Sequence, residues 1–224
     1  MKSPVCVFFI LLLCLTACAA ERQRAMPEMT ATQDEAVGEE CVAIFPRGRW
    51  QFIHAIDFSL GDGSGSTVIG LTSLDGDGFG CALLTIEGFT LFEAVCRGDG
   101  AVEVRRAVSP FDKPGFAEGL MRDVRMIFLA PATDNVRYGW LAGHVPVCRF
   151  TGADGLITDI MPAVAGCWRI NTFTPALAGN RSLIGRSCRK IDDIPIPAYL
   201  ELKDSGQADY TLKLTLLTAE NLNR

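Results

Sequence analysis

The sequence predicts a mainly β domain with one principal helix, an α+β arrangement in which about eleven antiparallel strands curl on themselves and the helix lies in or across the opening. Three observations predict it. Short runs that alternate apolar and polar residues recur from Gly48 to Leu217, the period of half-buried strands. Clusters such as Gly61-Asp62-Gly63-Ser64-Gly65 and Asp75-Gly76-Asp77-Gly78 separate them, and Gly and Asp supply the positive φ of tight turns. One stretch changes period: Phe116, Leu120, Val124 and Phe128 recur at every fourth position and share one helix face. A single amphipathic helix is little cover for so long an apolar sheet face, so the sheet must cover itself.

An export signal precedes the strands. Met1-Lys2-Ser3 is a short basic start, and Val5 to Leu15 is an almost unbroken apolar run. Leu15-Thr16-Ala17-Cys18 then fits the bacterial lipobox, in which a peptidase cuts before a cysteine whose sulfur carries diacylglycerol. Residues 1–17 are thus expected to be a lipoprotein signal peptide, with Cys18 the lipidated residue. The alternatives are an ordinary secretory signal cut after Ala19 or Ala20, or a retained anchor. The run is short of the roughly 18 residues of a spanning helix, and Glu21-Arg22 follows it. Residues 18–40 are polar and aperiodic, and are expected to be a lipidated flexible tether; residues 41–224 form the single domain. Ala19, in place of an aspartate, after the lipid cysteine points to the outer membrane, on its periplasmic side.

Within the domain the elements follow in order. Arg49 to Leu60 puts Trp50, Phe52, Ile56, Phe58 and Leu60 on one face, with His54 among them. Ser66 to Leu74 is the second strand. Gly80 to Glu87 and Thr90 to Cys96 form a hairpin through a two-residue turn at Gly88-Phe89, and Ala101 to Val108 closes the meander. Ser109 can cap the helix with Pro110 in its first turn, or Pro114-Gly115 can delay its start; Pro131 ends it. Six strands follow: Val145–Thr151, Leu156–Met161, Cys167–Phe173, Ser182–Ile191, Ala198–Lys203 and Tyr210–Leu217. A last hairpin turning about Gly206 sets Leu202 opposite Tyr210. Val136 to Leu141 fits strand or helix equally.

Composition and motifs narrow the chemistry. A net charge of −5 offers no general attraction to nucleic acid. Of nine cysteines, Cys6 and Cys14 leave with the signal and Cys18 carries lipid. The other six suit disulfides in an exported chain, and none lies at zinc-ligand spacing from another. A strict register through Gly88-Phe89 pairs Cys81 with Cys96. Cys167 and Cys188 have equal arms about Leu177-Ala178, and Cys41 and Cys148 pair by elimination. His54 and His144 are the only histidines, and no serine sits in a G-x-S-x-G elbow. His54 reads best as a core or rim histidine. The expectation is a protein without catalytic residues, metal ligands or a cofactor.

What remains is an apolar sheet side facing an apolar helix side. Trp50, Phe52, Phe58 and Leu212 on strands face Phe116, Leu120, Val124 and Phe128 on the helix. They form either a solid core or a groove for acyl chains, and periodicity alone favours the core. The layout, however, resembles the LolA/LolB superfamily of lipoprotein carriers. More closely it resembles a related group of outer-membrane lipoproteins. The resemblance rests on the lipobox at Cys18, the meander opening at Trp50-Gln51-Phe52, the helix end Val124-Arg125-Met126-Ile127-Phe128, and the final Ile196-Pro197-Ala198-Tyr199-Leu200-Glu201-Leu202 with Tyr210-Thr211-Leu212-Lys213-Leu214. It implies an unclosed antiparallel barrel with a helical lid, whose concave side holds acyl chains. It makes those eight residues the expected ligand-binding set, a lipid or acylated molecule the expected ligand, and the outer membrane the partner through the anchor. LolB also carries an exposed apolar residue on a protruding loop near the start of the barrel; Gly61 to Gly65 offers none. The alternative is a non-enzymatic envelope assembly protein with a solid core and a protein partner.

Overall fold

The fold comes from a computed structural model that describes residues 26–32, 35–76, 78–133, 135–164, 167–174, 180–206 and 209–223. Residues 1–25, where the signal peptide and the lipidated Cys18 are expected, lie outside the described residues. The elements are β1 (Thr30–Thr32), α1 (Glu35–Val42), β2 (Arg49–Leu60), β3 (Gly65–Asp75), β4 (Gly78–Leu84), β5 (Thr90–Arg97), β6 (Val102–Ala107), α2 (Phe116–Phe128), β7 (Val136–Leu141), β8 (Val145–Thr151), β9 (Ile157–Val164), β10 (Cys167–Phe173), β11 (Arg181–Ile191), β12 (Ile194–Asp204) and β13 (Tyr210–Asn221). The strands form one antiparallel sheet of thirteen, ordered β1-β7-β8-β9-β10-β11-β12-β13-β2-β3-β4-β5-β6 and not closed. This is the expected architecture with two strands more than the expected eleven. The additions are β1 and β7, which pair with each other through Thr30↔Trp140 and Thr32↔Tyr138.

The last strand joins the two halves. β13 lies against β2 with Leu214 opposite Ile56 and Leu212 opposite Phe58, so apolar positions of both strands fall on one face. That inner face carries the core: Trp50, Phe52, Val68, Phe79, Leu83, Phe92, Leu200, Leu202 and Leu214 are all buried. The alternation read from the sequence decides this, because a period of two places every second residue on one face.

α2 lies on the inner face. It starts at the later of the two expected positions. Gly115 takes the cap with φ 79°, a left-handed conformation that glycine adopts without cost, so Ser109 does not cap it. Met121, Val124, Ile127 and Phe128 are buried. Full burial of such side chains is worth about 1.5–3 kcal/mol each, so packing holds this helix in place.

Four expectations need correction. The stretch expected as tether contains β1 and most of α1, and α1 docks on β7, β8 and β9. A Cβ at Gly38 would come within 2.5 Å of the Tyr138 ring, so glycine permits that approach. The β4–β5 connection is not a two-residue turn. It is a loop in which Thr85 N–H donates to the Phe89 carbonyl, with a bulge at Leu83/Leu84. That shifts the register by two, so Cys81 faces Ala94 while Cys96 faces Phe79. An even shift keeps both cysteines on the inner face but parts them, and they are buried free thiols instead of a disulfide. In the last hairpin Leu202 faces Leu212 and Asp204 faces Tyr210, again an even shift that preserves the faces. Cys41–Cys148 and Cys167–Cys188 are disulfides, with Cα separations of 6.2 and 5.4 Å. The first ties α1 to β8, which a flexible tether would not allow.

Candidate functional site

The space between α2 and the inner face is the candidate site. Its eight expected residues divide into groups. Trp50 and Phe52 stack at 5.6 Å, and Phe52 meets Phe128 at 4.8 Å. All three are buried, as is Val124. Phe116, at the other end of α2, packs edge-on against Phe92 at 5.3 Å and Phe111 at 5.2 Å. Phe58 and Leu212 are cross-strand neighbours, half-buried. Leu120 is half-buried as well. The helix therefore spans two apolar clusters, one at each end.

A small cavity of about 20 Å³ opens at the Phe128 end, lined among others by Ile44, Phe52, His54, Phe128, Trp168 and Leu200. It has room for about one water-sized body. Of the eight expected residues only Phe52 and Phe128 line it. His54 is 3 % exposed, and its ring lies 6.3 Å from Phe52 and 6.0 Å from Phe128. Burial there lowers its pKa from 6.5 to about 4, so it is a neutral imidazole at ordinary pH. Trp168 is buried too, and its Nε1 has no acceptor among the described residues.

A polar clasp holds the middle of α2. Asp123 is buried, and the Tyr210 hydroxyl donates to its carboxylate at 2.8 and 2.9 Å. The Arg181 guanidinium pairs with Asp123 and, at 3.0 Å through Nε, with Asp204. Burial pushes the Tyr210 phenol above its usual pKa, which keeps it a donor. Sequence reading missed this group, because its members come from α2, β11, β12 and β13. The available signal was one charged residue beside the apolar stripe, Asp123 next to Val124. Asp123→Ala should cost about 1–3 kcal/mol, since Arg181 keeps Asp204 while the buried phenol loses its acceptor. Urea unfolding checks this, and a change below the error of the measurement would show the clasp to be idle.

The free thiols lie beneath the same helix. Cys81 Sγ is 3.3 Å from Met121 Sδ, and the Arg125 guanidinium donates to Cys96 Sγ at 3.2 Å. Burial raises the Cys81 pKa to about 12, so it stays a protonated, unreactive thiol.

One surface feature stands out. The β4–β5 loop carries Ile86 and Phe89, each 72 % exposed. Gly88 turns it with φ 91°. A large apolar pair on one hairpin tip is a marker of contact with a partner or membrane. The Gly61–Gly65 loop, which joins β2 to β3, remains without such a residue, and the apolar tip sits two hairpins further along the chain.

Three crystal structures are similar to this fold. A LolA superfamily protein from Nitrosomonas europaea aligns with a TM-score of 0.57 and 12 % identity, covering 85 % of this chain and 94 % of its own. The chain has a LolA-like fold. A putative outer membrane lipoprotein-sorting protein domain from Vibrio parahaemolyticus gives a TM-score of 0.52 at 11 % identity, over 84 % of this chain and 92 % of that one. A DUF1329 family protein from Desulfovibrio piger gives 0.52 at 10 %, over 84 % and 93 %. No family model and no curated protein matches the sequence.

Proposed function

We propose that this is a lipid-anchored envelope protein that takes an acyl chain between α2 and the inner sheet face, acting as carrier or chaperone and not as an enzyme. The observation that carries the reading is the LolA-like fold displaying Ile86 and Phe89 at a hairpin tip. The tip supports contact with the bilayer from which a chain would come. The inner face supports the binding, because each buried methylene contributes about 0.8 kcal/mol and no polar match is needed. A cavity of about 20 Å³ cannot hold a chain, so binding requires Ile127 and Phe128 to move off the sheet with the end of α2. A neighbour described as lipoprotein-sorting suits this role, and Ala19 after Cys18 favours the outer membrane as its place.

The test is saturable binding of diphenylhexatriene by the purified protein, alongside flotation with liposomes of the Cys18→Ser protein. Wild-type Ile86 and Phe89 should support flotation, and Ile86→Asp/Phe89→Asp should lose most of it while unfolding as before. A solid-core assembly protein is the second reading, favoured by the near-filled interior. It predicts no probe binding at any concentration. Lipidation is checked separately: Cys18→Ser should abolish palmitate labelling of the whole protein, and continued labelling would place the lipid elsewhere.

A further inference from the structure

The cavity at the Phe128 end is apolar except for two side chains. Trp168 is 97 % buried, and its indole N–H has no acceptor among the described residues. His54, also buried, lines the same cavity. Orphaned buried donors are rare in folded proteins, because each forgoes a hydrogen bond it would have in water. Packing leaves room for this indole. A Cβ at Gly185 would come within 3.2 Å of Trp168 Cε2, so glycine on β11 permits the close approach of the ring. The lining holds no cation and no carboxylate. Asp123 and Arg181 are not among the lining residues and are paired with each other.

From this we infer that the cavity selects neutral acyl esters, the ester carbonyl accepting a hydrogen bond from Trp168 Nε1 with His54 as its second polar contact. The inference rests on the acyl-chain reading above and adds the chemical class of the ligand. An ester carbonyl is an acceptor without charge, and it would satisfy a donor that the fold leaves unmet. A free fatty acid carboxylate would be buried without a counter-ion, which is costly. A plain alkane would fill the apolar part and leave the indole unpaired. A neutral imidazole fits this set, since a protonated one would favour the carboxylate; the burial that lowers the His54 pKa to about 4 keeps it neutral. Acyl groups of glycerolipids, and those on the sulfur-linked glyceride of a lipoprotein, are esters of this kind.

The experiment uses diphenylhexatriene as reporter on the whole Cys18→Ser protein, near neutral pH, with methyl palmitate, palmitate and hexadecane as competitors. The wild-type protein should favour methyl palmitate by about tenfold over either other, the size expected of one buried hydrogen bond. Trp168→Phe should bind the reporter yet lose that preference. Should the variant fail to fold, the indole N–H resonance of the wild-type protein gives the same answer. Methyl palmitate should move the Trp168 signal downfield, and hexadecane should leave it in place. Equal displacement by all three competitors, or an unmoved Trp168 signal with ester bound, overturns the ester inference and leaves the chain-binding reading intact. No reporter binding by the wild-type protein overturns both.

Discussion

Replacing Asp159 with leucine should destabilise the protein by about 3–5 kcal/mol. The Arg149 and Asp159 side chains are 3 % and 0 % exposed and joined by two bonds, Nε to Oδ1 at 2.7 Å and Nη2 to Oδ2 at 2.6 Å. They face each other across β8 and β9. Removing one partner leaves a buried charge without its match. Arg149→Met should be costly for the same reason. The double change Arg149→Met/Asp159→Leu should recover much of the loss, because neither charge then remains. Chemical denaturation of the four proteins checks this as a double-mutant cycle; purely additive losses would contradict it. The pair also bears on the membrane. Arg149 Nη2 donates to the Pro27 carbonyl at 2.9 Å, which ties down the chain nine residues beyond Cys18. Nine extended residues reach at most about 30 Å. A lipid on Cys18 would thus hold Pro27 within that distance of the bilayer.

The second large effect is a loss of stability in mild acid through His54. Its folded pKa of about 4 lies below its unfolded value of 6.5. The unfolded chain therefore binds a proton first as pH falls, and stability drops between about pH 6.5 and about pH 4, levelling below that. At 1.36 kcal/mol per pH unit the full loss is about 3 kcal/mol. Phe52 and Phe128 pack on the ring and offer nothing to stabilise an imidazolium. His54→Phe should flatten this part of the profile while keeping the packing. Urea midpoints of both proteins across the range test it. Parallel profiles would assign the acid sensitivity to other groups.

The sequence made some levels of this molecule readable. Strand faces followed from alternation on β2, where Trp50, Phe52 and His54 are inner and buried, and the two-residue shift at β12–β13 keeps Leu202 and Leu212 on one face. The α2 stripe at Phe116, Leu120, Val124 and Phe128 was readable because each repeat covers one turn. Register was not readable. Loop length sets it, and a bulge at Leu83/Leu84 leaves no mark in the hydrophobic pattern. For that reason the Cys81–Cys96 pairing did not form, whereas Cys41–Cys148, reached by elimination, did. β1 and α1 hid in a polar stretch because their order comes from tertiary contacts: β1 pairs with β7, and Cys41 is bonded to Cys148. The polar partners were least legible. Asp123, Arg181 and Tyr210 look like ordinary surface residues until distant strands bring them together.

A photoreactive ester of a long acyl chain, carried by the whole protein and mapped by peptide sequencing, tests the central claim most directly. If a chain is held between α2 and the inner face, labelling should saturate at one chain per protein. The adducts should fall on β2 near Phe52, on the end of α2 at Ile127 and Phe128, and on β12 near Leu200, the walls of the cavity. Excess unlabelled ester should suppress them. Labelling that never saturates, or that falls only on the exposed Ile86–Phe89 tip, would contradict the claim and leave a solid-core protein that meets membranes at its surface.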